Sequence, residues 1–285
     1  VKIKKFTQEF RVTSPQSQRL DWLVGAFYTD EKVDLKGAPI NAYLPDYTLL
    51  GAIVPGRTQE STYEEYAFFG DATWHFTDRF DVGAGLRFAE NTQKVTGTGG
   101  SSPSESENDT TWSLSSRYHF TPDVMMYGRI ATGYRPGGLN TVLLPTDVPP
   151  KVNSDSLTSY EIGLKSEFLD RRALVNVSVF YIDWKDIQLN STQNGNTILT
   201  NGGSATPKGI ELATTYSPID GLVLGAYAAY TESELSSTAP GAFFLEGYQL
   251  PGVPEFSYSV TADYAWNLMS DWTASVGGGF RWVDD

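Results

Sequence analysis

Apolar and polar side chains alternate one for one along most of the chain, the period of a strand that shows its two faces to different surroundings. Phe6, Phe10 and Val12 alternate with Thr7, Glu9 and Arg11, and Leu20, Trp22, Val24, Ala26 and Tyr28 form the next apolar row. Tyr66, Phe68, Ala72, Trp74 and Phe76 stand against Glu65, Asp71, Thr73 and His75; Phe80, Val82, Ala84, Leu86 and Phe88 stand against Asp81, Gly83, Gly85 and Arg87. The pattern returns over 111–120 and 159–168, is cleanest over 256–268, and closes with Trp272, Val276, Phe280 and Trp282. Segments 124–134 and 222–231 carry apolar residues on both faces, which leaves their orientation open, and a change of phase near Phe180 predicts a bulge.

The predicted connections alternate in length. Short links fall at 14–18, 77–79, 121–123, 169–172, 217–221 and 269–271, and long ones at about 30–61, 95–109, 135–157, 190–203 and 235–254. Short turns at one end and long polar loops at the other are the pattern of an outer-membrane barrel. A soluble sandwich would have strands of about 5–6 residues, whereas these run to roughly 10–14, enough to cross an apolar band about 25 Å tall at a tilt. The fold class expected is therefore all-β, an antiparallel transmembrane β-barrel, with the charged face lining a wet lumen and the apolar face meeting lipid.

Composition sharpens this. Mean hydropathy is −0.29, and no run approaches the roughly 18 apolar residues of a membrane helix, so only strands can span. Aromatic residues make up 13% of the chain, which suits a membrane interface; Trp74, Phe76, Phe120, Phe168, Trp266 and Trp272 near strand ends read as girdle residues. With no cysteine, disulfides and thiolate metal sites are excluded. A net charge of −13 argues against nucleic acid as a partner. No basic-then-apolar leader precedes Val1, so the chain reads as processed or as an internal piece.

Several segments, in order, resemble the barrel of TonB-dependent outer-membrane receptors. They are Phe6 to Pro15, Leu20 to Tyr28, Gly85-Leu-Arg-Phe88, Tyr127 to Asn140, Ser159 to Phe168, Phe180 to Gln188, Gly209-Ile-Glu-Leu212 and Leu250 to Phe256. The resemblance is closest to the siderophore-receptor branch that includes pesticin/yersiniabactin-type receptors. It implies a barrel of about 22 strands, of which 1–285 would be an internal section of about a dozen, without the plug domain, the energy-coupling box or the terminal strands. It also implies a ferric siderophore or similar nutrient as ligand, outer-membrane lipid around the wall, and the TonB complex as partner through the absent plug. By position in the outer loops, the ligand-binding candidates are Tyr43, Tyr47, Arg57, Tyr134, Arg135, Asn140 and Lys151. Arg and Lys would attract an anionic ferric complex, and Tyr would pack on phenolate rings.

Enzyme chemistry finds no purchase. His75 and His119 share a His-Phe-Thr context before a short turn and read as polar-face residues at the rim, not as a metal pair. Glu65, Asp71, Glu161 and Glu211 fall on the polar faces of separate strands, where lumen charge belongs. There is no phosphate loop and no Gly-x-Ser-x-Gly elbow, so neither catalysis nor a cofactor is expected. Gly137-Gly138 after Arg135-Pro136 reads as a tight turn. Two further classes fit the composition: a passive porin or autotransporter-type barrel, and a soluble β-rich carbohydrate-binding module, which detergent partitioning would distinguish.

Overall fold

The computed structural model describes residues 1–15, 19–37, 40–43, 49–54, 57–97, 103–140, 151–193, 196–238 and 245–284. Its elements, in chain order, are β1 (Lys2–Thr13), β2 (Leu20–Gly37), β3 (Ile40–Tyr43), β4 (Leu49–Val54), β5 (Arg57–Thr77), β6 (Phe80–Gly97), β7 (Ser104–Thr121) and β8 (Val124–Arg135). They continue with β9 (Gly138–Leu139), β10 (Lys151–Val152), β11 (Asp155–Phe168), β12 (Ala173–Gln193), β13 (Asn196–Ala205) and β14 (Lys208–Tyr216). Last come β15 (Leu222–Glu232), β16 (Leu235–Ser237), β17 (Phe256–Met269) and β18 (Trp272–Val283). The long strands form one antiparallel meander, β1-β2-β5-β6-β7-β8-β11-β12-β14-β15-β17-β18, and among the described residues β1 and β18 are its free edges.

Strand pairing assigns every face. Tyr28 pairs with Tyr66 and Ala26 with Phe68, Phe68 with Phe88, and Leu86 with Trp112, so the apolar rows share one surface across the sheet. That surface stays uncovered: Phe68, Leu86 and Phe280 are each more than half exposed. The two ambiguous segments are settled by their neighbours. Ile130 pairs with Leu114 and Ala226 with Val260, which puts the even-numbered residues of 124–130 and of β15 outward, with Arg129 and Tyr227 inward. On β5 the outward row runs from Phe76 and Trp74 to Tyr66, then becomes Glu64, Thr62 and Glu60. An apolar band bounded by aromatic rings and then by charge matches a lipid layer and its interfaces.

The short turns have a shared device. Thr77 Oγ1 accepts hydrogen bonds from the backbone N–H of Arg79 (3.2 Å) and of Phe80 (3.0 Å), and Thr121 Oγ1 accepts from Asp123 (3.3 Å). His75 N–H and His119 N–H each donate 2.8 Å bonds to the carbonyl of the preceding turn, at Arg19 and Arg79. The repeated His-Phe-Thr context is thus turn chemistry.

Two expectations are corrected. The bulge is not at Phe180, where pairing with β11 and β14 is continuous; it follows Trp184, where the register to β13 shifts and Asp186 takes φ 55°. Segment 190–203 is not an open loop either, since β12 and β13 fold it into a hairpin. Above the band both faces meet water, so strands there lose the apolar alternation by which they were sought. The hairpin packs Ile187, Leu189 and Ala205 against Leu235 and Leu250, flanked by Trp184 and Val253, a small separate core above the membrane.

Candidate functional site

Tyr134, Arg135, Asn140 and Lys151 gather where β8 ends and β11 begins, and most of their polar groups are already engaged. Arg135 Nε donates to Asp155 Oδ2 at 2.9 Å and Nη2 donates to the same oxygen. Nη2 also reaches the Gln188 carbonyl at 3.2 Å, and the guanidinium lies 5.8 Å from the Trp184 ring centroid. Asp155 is 2% exposed; a carboxylate so enclosed needs its partner charge.

Gln188 fastens the other side. Its side-chain amide donates to the Pro136 carbonyl at 2.9 Å and its backbone N–H to Asp155 Oδ2 at 3.3 Å. Asn140 mimics a strand residue: its Nδ2 donates to Leu199 O (2.8 Å) and its Oδ1 accepts from Leu199 N–H (2.9 Å). Asn201 does the same for Asn153, accepting from its N–H at 2.7 Å and donating to its carbonyl at 2.9 Å. Lys151 pairs with Glu105 at 2.5 Å. Gly137 donates to Glu107 at 2.9 Å and accepts from Gln93 at 2.5 Å. The Gly137-Gly138 pair is therefore a hairpin stem, with Gly138 pairing Val152. Glycine stands at 137 because a Cβ would meet the Val152 carbonyl and the Glu107 carboxylate.

Tyr134 differs. It lies within electrostatic reach of Glu65, Asp109, Arg87 and Glu107 on the inner face, and among the described residues no hydrogen bond of its hydroxyl is seen. Beside it are two unmatched groups, Asn91 Nδ2 and Asp109 Oδ2, and Asn91 is 1% exposed. Tyr47 lies outside the described residues. Tyr43 and Arg57 are placed by their backbones only, Tyr43 opposite Leu49 in the β3–β4 hairpin and Arg57 opposite Gly37. The sequence brings these first-loop residues and Tyr134 into no described contact.

Further down the inner wall, carboxylates are paired rather than poised. Glu65 binds Arg87 at 2.7 Å and accepts from Tyr63 at 2.5 Å, and Arg87 lies over the rings of Phe27 and Phe69. Asp81 binds Arg117 at 2.7 Å, and His75 reaches Asp21 at 3.0 Å. Glu161 accepts from Tyr127 at 2.5 Å, and Glu211 accepts from Tyr227 at 3.4 Å. Among the described residues no group of three or more His, Asp or Glu could hold a metal. Sequence reading missed Gln93, Glu107, Gln188 and Asn201, because each looks like an ordinary solvated polar residue until the fold brings it to the frame. Asn140→Ala is expected to free the β12–β13 hairpin, seen as at least roughly tenfold faster amide exchange at Leu199, from two lost bonds of about 1 kcal/mol each.

An antiparallel wall with a lipid-facing apolar band, an ion-paired inner face and a polar frame at its outer end is a section of an outer-membrane β-barrel. Residues 4–285 match the family model described as "TonB dependent receptor-like, beta-barrel". The chain belongs to the TonB-dependent receptor family, and its place is the outer membrane of a Gram-negative bacterium. It is similar to the pesticin receptor of Yersinia enterocolitica, 32% identical over 263 residues that are 87% of this chain and 36% of that protein. An uncharacterized TonB-dependent receptor of Haemophilus influenzae is 25% identical over 272 residues, 91% of this chain and 76% of that one. In fold it resembles the ferric yersiniabactin uptake receptor FyuA of Yersinia pestis, with TM-score 0.78, 22% identity, and coverage of 99% of this chain and 42% of that one. The siderophore receptor PiuA of Acinetobacter baumannii gives TM-score 0.73 at 19% identity, covering 96% and 45%. The chain thus spans about a third of the length of the pesticin receptors it matches.

Proposed function

We propose that this chain is a wall section of a receptor that takes up a scarce nutrient, a ferric siderophore by its likeness to the ferric yersiniabactin uptake receptor and the siderophore receptor PiuA, with energy supplied through TonB by a plug domain outside 1–285. The observation that carries the reading is the inner face beneath the outer loops. There Tyr134, whose hydroxyl has no hydrogen bond among the described residues, stands on a frame fixed by Arg135–Asp155 and Glu107–Gly137. Rigid support beneath an unengaged side chain is how a binding wall is pre-organised. Glu65, Asp81, Glu161 and Glu211 of the wall are each engaged by a neighbouring side chain, so the reading assigns it binding and passage and no reaction.

The division of the candidates follows from the same contacts. Tyr134 is the residue proposed to touch cargo, with Tyr43, Tyr47 and Arg57 as first-loop candidates; Arg135, Asn140 and Lys151 are proposed to hold the loop in place. In the full-length receptor, Tyr134→Ala is expected to weaken ferric-siderophore binding about tenfold, the loss of one ring contact of about 1–2 kcal/mol, with unchanged resistance to heat and urea. Growth of a receptor-deleted strain on ferric yersiniabactin-type and catecholate siderophores, with and without TonB, tests the whole. TonB-independent passage of small solutes through the protein in planar bilayers would favour a passive porin and sink the proposal.

A further inference from the structure

The lipid-facing surface is not uniform. Across β7, β8, β11 and β12 the outward residues Ser116, Gly128, Ile162 and Val179 stand in one cross-strand row. Above them is the row Leu114, Ile130, Tyr160 and Tyr181. Between these rows lies a trough of about 620 Å³, within the range of roughly 300–1,000 Å³ that houses single small ligands. Its floor is low because Ser116 and Gly128, which face each other, are small.

Nothing in the fold requires glycine at 128. Its φ is not positive, and a Cβ there would find its nearest neighbours at 3.8 Å (Ser116 Oγ) and 4.0 Å (Glu161 O), ordinary contacts. Gly163 is the contrast, since a Cβ there would fall within the Tyr127 ring packed over it on the inner face. A strand glycine weakens the sheet, so one that yields no packing in return points to the space it leaves open.

The head of the trough is chemically different from its floor. Tyr160 and Tyr181, with ring centroids 6.2 Å apart, carry their hydroxyls at the outer rim of the band. Lys208 pairs directly with Tyr181 across the strands, and Lys185 lies within electrostatic reach of Tyr160. Each lysine has one carboxylate at ion-pair distance, Glu232 at 2.7 Å and Asp183 at 2.9 Å, and a second within electrostatic reach, Glu234 and Asp186; an ammonium has three donors, so donors remain for an incoming oxyanion.

We propose that this trough is a specific lipid site: one acyl chain of a phosphate-bearing outer-leaflet lipid lies over Gly128 and Ser116, with its phosphate at Lys185 and Lys208. The floor is hydrocarbon-facing and lies within the apolar band, and cationic donors sit only at its outer end, which is the polarity of such a lipid entering from the outer leaflet.

The test uses the full-length receptor in nanodiscs of phosphatidylethanolamine containing lipid A, released into native mass spectrometry and compared as folded, heat-modifiable species. Wild type is expected to retain one lipid A. Gly128→Leu and Ser116→Leu fill the trough from two different strands and are each expected to lower retention at least roughly tenfold. Lys185→Gln combined with Lys208→Gln is expected to lower it about fivefold with the trough intact. Undiminished retention in either leucine variant, or a wild type that carries no lipid A, would overturn the site. Phosphatidylethanolamine, which also carries a phosphate, retained equally well in place of lipid A would overturn the assignment to an outer-leaflet lipid.

Discussion

Leu86→Arg is expected to destabilise the membrane-inserted wall by about 2–4 kcal/mol, the cost of a cation on a barrel's lipid face near mid-depth. Leu86 is 58% exposed on the outward face, flanked in its cross-strand row by Gly70 and Trp112. Its neighbour Arg87 is the internal comparison. One residue along, the same guanidinium points inward, binds Glu65 and lies over Phe27 and Phe69. Urea titration of the full-length protein folding into lipid vesicles measures the difference. A Leu86→Arg protein as stable as wild type would mean that the apolar face does not meet lipid.

Arg135→Ala is expected to cost about 2 kcal/mol locally, less than the 3–5 of a fully buried pair because the arginine side chain is 49% exposed. Its loss strands the Asp155 carboxylate without its cation, and Gln188 and the Trp184 face lose their contact in the same step. The expected signs are faster amide exchange at Gln188, easier proteolysis between β8 and β11, and weakened ligand capture. Adding Asp155→Asn is expected to recover most of the stability, because a neutral amide replaces the uncompensated charge and still accepts from the Gln188 N–H. Failure of that second change to rescue would place the cost in lost packing against Trp184.

Strand identity and facing were legible in the alternation because within the band one face meets lipid and the other water. Phe68 and Phe69 show the limit of that rule: both are apolar, yet only Phe68 faces outward, while Phe69 lies inward over Gly25 beneath Arg87. Segments 124–134 and 222–231 were ambiguous for the same reason, and only pairing to Leu114 and Val260 resolved them. Above the band the signal vanishes. Thr58 to Ser61, Val95 to Gly97 and Ser104 to Asn108 are strand residues that read as loop, since water on both faces imposes no period. The frame around Arg135 was half visible. The arginine and Asn140 stood out near a Pro-Gly-Gly segment, but their partners Asp155, Gln188 and Leu199 are joined to them by topology and not by spacing.

The length of the strands has an outcome outside transport. β5 has 21 residues, which at about 3.3 Å each and a tilt near 45° reach roughly 50 Å along the membrane normal, about twice the apolar band. The upper half of the wall therefore stands clear of the bilayer as an ordered palisade rather than a fringe of loops. Glu60, Glu64 and Lys32 on its outer side hold fixed positions, with Lys32 and Glu60 2.5 Å apart. Macromolecules that approach an intact cell from outside would meet this folded relief, so substitutions there are expected to change surface recognition by antibodies while leaving the inward-facing wall untouched.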